Sequence, residues 1–332
     1  MDGVVTIKDV AQKAGVVKST VSNVLTGKKF VSEALKKKVL DACRELNFHP
    51  NFYAAGLSGG KSNIIALVLE SNEDVEKTFY SELVMSCLKQ ASANDYSLLI
   101  YYSSDNDKII NILRQGNAPI DGAVIMSPCV NDERLKQIES DRIPCIVVGR
   151  PENECMSYVD IDNVKLVRSV CEALNKNKDR EIYLINSHFD LTISQDRKRS
   201  FDEYCASCGI DPESHCFVSL NCDENDGYTL SKGILQKSAV IITANASLAK
   251  GVYRAAAEQG LAVGDDVAVF ALGRHQEHGT FTPKLSYAYQ DYSVLGKKAI
   301  ELLISEIENG RSGKNVLVES IPTFTQSVQK FL

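Results

Sequence analysis

Val5-Thr6-Ile7-Lys8-Asp9-Val10-Ala11-Gln12-Lys13-Ala14-Gly15-Val16 and, after Val17, Lys18-Ser19-Thr20-Val21-Ser22-Asn23-Val24-Leu25 decide how the N-terminal part of this 332-residue chain folds. Thr6 to Asp9 has the spacing of a capping box, with Asp in place of the usual Glu or Gln. Val10, Ala11 and Ala14 give the first helix an apolar face, and Gly15 suits a left-handed C-cap. A second short helix is predicted from about Val17 to Leu25, with Val21, Val24 and Leu25 turned inward and Thr26-Gly27-Lys28-Lys29 as a loop. Ser32 then caps a third helix carrying Leu35, Val39, Leu40, Ala42, Cys43 and Leu46. Three short helices without strands, with a tight turn after the first, make a helix-turn-helix pattern.

Residues 47–61 change character. Pro50 can open a helix at its first position, Gly56 weakens that helix by about 1 kcal/mol relative to Ala, and Gly59-Gly60 ends it. A turn or two of helix bounded by Pro and Gly reads as a marginal hinge. Gly56-Leu57-Ser58-Gly59-Gly60-Lys61-Ser62 falls one residue short of a phosphate-binding loop, and it precedes a strand where that motif follows one.

From Asn63 onward strand and helix alternate. Apolar runs at Ile64–Leu69, Leu98–Tyr102, Ala123–Met126, Cys145–Val148, Ile182–Ile185, Phe217–Leu220, Val240–Thr243 and Val267–Leu272 are strand candidates. Helical stretches such as Glu82–Ala93 and Leu248–Gln259 lie between them. Continuous apolar strands separated by helices imply parallel sheets covered on both faces. So many strands suit two α/β lobes better than one sheet.

Composition is globular, with 44% hydrophobic and 24% charged residues. No apolar run reaches the roughly 18 to 20 residues of a membrane span, and Met1 to Lys13 lacks a signal-peptide stretch, so a cytoplasmic protein is expected. The ten cysteines are scattered and read as thiols. The tightest group, Cys205 and Cys208 with Cys216, Cys222 and His215, lacks zinc spacing; neither metal nor cofactor is expected. Net charge is −6, but residues 1–61 hold ten basic and five acidic side chains, a net of +5 that leaves −11 on the remainder. A basic head on an acidic body suits a polyanion reader, although a soluble helical domain decorated with lysines would give the same balance. No nucleophile–base pair or catalytic motif assembles, so an enzyme is not expected.

The residues resemble the lactose-repressor (LacI/GalR) family. Val5 to Val16 is similar to that family's opening helix and turn, Ser19 to Leu25 to its recognition helix, and Leu46-Asn47-Phe48-His49-Pro50-Asn51 with Ala54 and Leu57 to its hinge. More loosely, Asp121 to Ile125, Ile143 to Arg150, Val159 to Asn163 and Leu295 to Leu303 follow in order. The resemblance implies a DNA-binding transcription regulator, most simply a repressor. Its helix-turn-helix domain would occupy residues 1–48, its hinge 49–62 and a periplasmic-binding-protein-like sensor 63–332. The two α/β lobes would span about 63–160 plus 291–322, and 161–290 plus 323–332. It also implies a homodimer on a pseudo-palindromic operator; no heptad tail follows the sensor before Leu332, which favours a dimer over a tetramer.

By the same resemblance Lys18, Ser19 and Asn23 meet base edges, where Lys suits guanine and Asn adenine. Thr6, Thr20, Ser22, Thr26 and Asn51 are short polar residues suited to phosphate contacts, which position without specifying sequence. Ala54 belongs to the hinge helix, and Leu57 wedges into a minor-groove step. Position 23 is usually Arg in the family, and Val17 stands where a capping Ser is usual. Phe79, Tyr80, Arg150, Arg197, Asn245 and Gln290 are the expected effector residues. Ala246 and Gly273 stand where, or near where, the family carries carboxylates for sugar hydroxyls. With those acids missing, the two arginines favour an anionic ligand such as a phosphosugar over a plain sugar. The rivals are a solute-binding protein without DNA function, and an α/β enzyme with a helical appendage.

Overall fold

The computed structural model describes residues 5–26, 29–48, 61–70, 77–103, 120–153, 155–177, 179–273 and 280–332. The hinge residues Asn51, Ala54 and Leu57 lie outside them. The chain divides into two compact units, Met1–Ser62 and Asn63–Leu332.

The first unit holds helices α1 (Ile7–Ala14), α2 (Lys18–Thr26) and α3 (Glu33–Glu45). Each is too short to persist alone in water, so packing must supply the stability. Val10, Ala11, Ala14, Val21, Val39, Ala42 and Cys43 are buried together, with Ile7, Val24, Leu25, Leu46 and Phe48 around them. Gly15 sits at φ 63°. There its N–H donates to Gln12 O (3.2 Å) while Val16 N–H donates to Ala11 O (3.0 Å), a Schellman turn. Asn47, at φ 48°, ends α3 in the same way, with Phe48 N–H reaching Cys43 O at 2.8 Å. Ser32 stands at the N-cap of α3, but its side chain makes no capping hydrogen bond, contrary to the sequence expectation.

The second unit is built on two six-stranded sheets. The first holds β1 (Ile64–Glu70), β2 (Ser97–Ser103), β3 (Gly122–Met126), β4 (Cys145–Val148), β5 (Tyr158–Ile161) and β11 (Asn315–Val318) in the order β11-β5-β4-β3-β1-β2, all parallel. The second holds β6 (Ile182–Asn186), β7 (Cys216–Val218), β8 (Val240–Thr243), β9 (Ala268–Ala271), β10 (Ser286–Tyr289) and β12 (Ile321–Thr323) in the order β12-β10-β9-β8-β6-β7, with only β12 antiparallel. Strands β3, β4, β6, β8 and β9 are buried along their whole length, because helices cover both faces.

Those helices are α4 (Lys77–Ser92), α5 (Glu133–Ser140), α6 (Asn163–Leu174), α7 (Thr192–Cys208), α8 (Glu224–Ser231), α9 (Ala246–Glu258) and α10 (Tyr292–Asn309). Two of them touch backbone to backbone: a Cβ on Gly251 of α9 would lie 2.1 Å from Glu224 O and 2.2 Å from Tyr228 N of α8. The chain passes between the sheets three times, after β5, after β10 and after β11. Strands β5, β10, β11 and β12 were not among the sequence candidates. The run expected at Phe217–Leu220 forms instead at Cys216–Val218, leaving Leu220 73% exposed.

Candidate nucleic-acid interface and effector seam

In the reader unit, Thr6 N–H and the Thr6 hydroxyl both donate to Asp9 Oδ2 at 2.7 Å. These bonds, the hydroxyl's first, hold the Asp9 carboxyl below its ordinary range. The one hydroxyl proton of Thr6 is thus committed, and it must leave Asp9 before it can donate to a phosphate. Val17 occupies the N-cap position of α2: its carbonyl accepts from Thr20 N (2.9 Å), yet its side chain, 66% exposed, offers the open N–H groups nothing.

Along α2, Lys18 and Ser19 are exposed, Thr20, Ser22 and Asn23 half-buried and Val21 buried. Helical spacing sets Ser19, Ser22 and Asn23 opposite Val21, Val24 and Leu25, with Lys18 at the edge. Thr26 is the last residue of the helix. Among the described residues Lys18 and Asn23 have no hydrogen-bond or ion-pair partner, so their donors are available to a groove. The acids of α3 are taken. Glu45 pairs with Lys13 (2.9 Å), Asp41 with Arg44 (3.1 Å) and Glu33 with Lys36 (3.7 Å). Lys18, Lys29, Lys37 and Lys38 hold no ion pair among the described residues, and the unit's uncompensated field is positive.

In the second unit, ligands of open parallel sheets bind outside the carboxyl ends of strands. Arg150 follows β4, Asn245 follows β8, Gln290 follows β10, and Arg197 lies on α7 after β6. The two sheets meet at this end through a hydrogen-bonded seam. Val130 N–H donates to Asp190 O (2.8 Å), and Thr192 donates from N (3.3 Å) and Oγ1 (3.2 Å) to Pro128 O. Beside the seam, Arg150 Nη1 lies 3.4 Å from Asp196 Oδ1. Arg197, 5% exposed, donates from Nε to Asn163 Oδ1 and from Nη1 to Ala244 O, both at 3.3 Å.

Asp160 completes the cluster. Its carboxylate accepts from Arg150 N (3.1 Å) and Ile161 N (2.7 Å), with Asn163 Nδ2 at 3.5 Å. Burial pushes its carboxyl up to about 7; the Asp196 charge adds to the rise, and the two N–H groups and Arg197 oppose it. This overturns one sequence expectation. The arginines do have carboxylate neighbours, supplied by Asp160 and Asp196 and not by the positions that Ala246 and Gly273 occupy. The argument for an anionic ligand loses its premise.

The seam gathers Arg150 and Arg197. Asn245 and Gln290 are held otherwise. Asn245 caps α9, accepting from Leu248 N (2.8 Å) and donating to Cys222 O (2.9 Å). Gln290 is buried, donating to Leu272 O and accepting from Tyr292 OH, both at 2.8 Å. Phe79 and Tyr80 lie in the first turn of α4, with side chains outside the described set. A cavity of about 240 Å³ lies between α6 and Glu319–Phe324, and none of the six expected effector residues lines it.

Cys171 and Cys205 are buried, and burial pushes the Cys205 thiol up to about 12, an inert state. Among the described residues no group of three or more His, Cys, Asp or Glu could hold a metal, and no helix is long and apolar enough to cross a membrane.

A three-helix reader followed in sequence by a two-sheet sensor defines a class of ligand-controlled DNA-binding regulators. Residues 6–51 match the bacterial regulatory proteins of the lacI family, and residues 171–326 match a periplasmic binding protein-like domain. The HTH-type transcriptional regulator MalR of Streptococcus pneumoniae serotype 4 is 27% identical over 323 residues, 94% of this chain and 95% of that protein. The ribose operon repressor of Haemophilus influenzae is 25% identical over 320 residues, covering 94% and 95%. A lac repressor dimer bound to operator and the anti-inducer ONPF superposes with a TM-score of 0.82 at 21% identity, covering 98% of this chain and 99% of that one. The complex of the regulator CelR with cellobiose gives 0.72 at 22% identity, covering 97% and 99%. The chain belongs to the lacI family of bacterial regulatory proteins and is a DNA-binding regulator of transcription.

Proposed function

We propose that the chain is a cytoplasmic, non-enzymatic repressor that binds a pseudo-palindromic operator as a homodimer. A small neutral, hydroxyl-rich metabolite held at the seam between the two sheets controls it. The observation that carries this reading is the polar stripe of α2, where Lys18, Ser19 and Asn23 stand away from a fully packed core and are unclaimed by the described ion pairs. Such a helix docks in the major groove, with its N-terminal residues at base edges. Leu57 of the hinge would wedge the minor groove at the operator centre.

Pairing is supported by exposed apolar residues on one edge of the first sheet: Met85 and Leu88 on α4, Ile100 and Tyr102 on β2. A neutral ligand is favoured because Asp196 pairs with Arg150, the buried Asp160 carboxyl adds partial negative charge, and Arg197 is engaged by Asn163 and Ala244 O. Carbohydrate effectors are supported by the relative named as the ribose operon repressor and by the CelR–cellobiose complex. An effector can act only by favouring one arrangement of the seam over another. Selecting duplexes from a random library with the full chain should enrich a palindrome whose affinity changes with a neutral saccharide and not with its phosphate ester. Absence of enrichment over random competitor DNA refutes the DNA reading. A response confined to phosphate esters refutes the neutral-ligand reading.

A further inference from the structure

The cavity of about 240 Å³ between α6 and Glu319–Phe324 lies apart from the seam. Its floor is apolar. Leu166 and Ala173, seven residues apart on one face of α6, line it together with Pro322 of β12 and Phe324. The Phe324 ring is braced by Phe270, with 5.8 Å between centroids. The rim is polar, and its hydroxyl protons are spent: Ser169 Oγ donates to Leu166 O and Ser320 Oγ to Tyr289 O, each at 2.8 Å. Lys165 is the one cation among the described lining residues, and its Nζ is already bound to Glu319 Oε1 at 2.6 Å. Acceptors remain. Asp162 spends one carboxylate oxygen on the α6 N-cap, accepting from Lys165 N–H at 2.9 Å, and Glu319 spends one on Lys165, so each keeps a second oxygen. Two carboxylates against one ammonium leave the rim with a net negative charge.

We propose that this cavity is a second small-molecule site and that it takes a small apolar amine, with its hydrocarbon body on the floor and a primary ammonium at the rim. A wall of acceptors needs a ligand that brings donors, and an ammonium brings three donors and no acceptor. At about 240 Å³ the space falls just below the roughly 300 Å³ at which ordinary ligand pockets begin, which limits the body to about one ring. The site joins two of the passes between the sheets. Asp162 N–H donates to Val318 O at 3.1 Å, and the Lys165–Glu319 pair spans the same gap. In the same stretch Asp160 accepts from Arg150 N and Asn163 from Arg197, so an occupant rests on the segment that carries the seam.

Calorimetric titration of the full-length chain with 2-phenylethylamine tests the site without operator or saccharide, so its outcome is separate from the function proposed above. Binding should saturate at one ligand per chain, with a dissociation constant of about a millimolar for a body of this size. 2-Phenylethanol and 3-phenylpropionate keep the ring and lose the positive charge, and should bind about threefold to fivefold more weakly. Glu319→Gln, on an exposed side chain, should weaken the amine about threefold, whereas Lys165→Gln, which removes the competing cation, should tighten it about threefold. Ala173→Leu fills the floor and should abolish binding. Absence of saturable binding at about ten times the expected constant overturns the proposal. So does equal binding of the three ligands, or a loss of affinity in Lys165→Gln. Unchanged affinity in both Ala173→Leu and Glu319→Gln overturns it as well, since the amine would then lie elsewhere.

Discussion

Replacing Asp160 with Asn should change how stability depends on pH. In the folded chain burial pushes this carboxyl up to about 7, against an ordinary value of 3.8. Between those values the native state keeps a proton that the unfolded state has released, so the contribution of Asp160 falls as pH rises from about 4 to about 7 and is level above that. Three units of displacement at about 1.4 kcal/mol each set the effect at roughly 4 kcal/mol. At about 2–4 °C per kcal/mol for a unit of this size, that is roughly 8–16 °C in melting temperature.

Arg150 N and Ile161 N donate to different oxygens of Asp160, so Asn keeps an acceptor for one of them and leaves the other without its partner, a loss that is the same at every pH. The variant's absolute stability is not the readout. The difference in melting temperature, Asp160→Asn minus wild type, should grow more favourable to the variant between pH 4.5 and pH 8. Asp196→Asn gives an independent arm. Removing that charge should bring the Asp160 carboxyl down and shift the wild-type decline toward lower pH. A difference that stays constant from pH 4.5 to 8 would refute the assignment, because Asp160 would then be ionised throughout.

Val17→Ser should give α2 the side-chain acceptor it lacks and raise the reader's stability by about 1 kcal/mol, read by thermal melting of the full chain. Gly251→Ala should cost about 2–3 kcal/mol, since its new Cβ meets the α8 backbone and not a mobile side chain; unfolding in urea would measure it. Arg134 and Asp132 form a buried ion pair at 2.7 Å, so Asp132→Ala should destabilise by about 3–5 kcal/mol. Asn23→Arg, re-selected on a random library, should move the preferred base at its position from adenine toward guanine, and an unshifted preference would remove Asn23 from the base-reading set.

The reader was legible because its signals are local. Thr6-to-Asp9 spacing, Gly15 after an apolar face and the inward set Val21, Val24 and Leu25 each need only a few neighbouring residues. The buried strands were legible as apolar runs. The strands the sequence concealed are short: β5 is broken by Asp160, β10 alternates in burial, and β11 and β12 are edge strands with exposed Leu317 and Ile321. Asp160 lay hidden within Tyr158–Ile161, where an acid reads as a break in a strand, and Asp196 within a charged helical stretch. Only the tertiary fold brings them to Arg150 and Arg197. Asn245 and Gln290 carry chemistry that a sequence cannot apportion, since an amide that caps a helix looks the same as one that meets a ligand.

The three passes between the sheets have a consequence for how the chain is made. Strands β11 and β12 close one edge of each sheet, and both come after the eighteen residues of α10. While the polypeptide grows from the ribosome, the first sheet waits, one strand short, until Val318 has emerged, and the second until Thr323. The reader, whose contacts are all local, can mature long before. A newborn molecule would thus own a grip on the genome before it owns the means to let go.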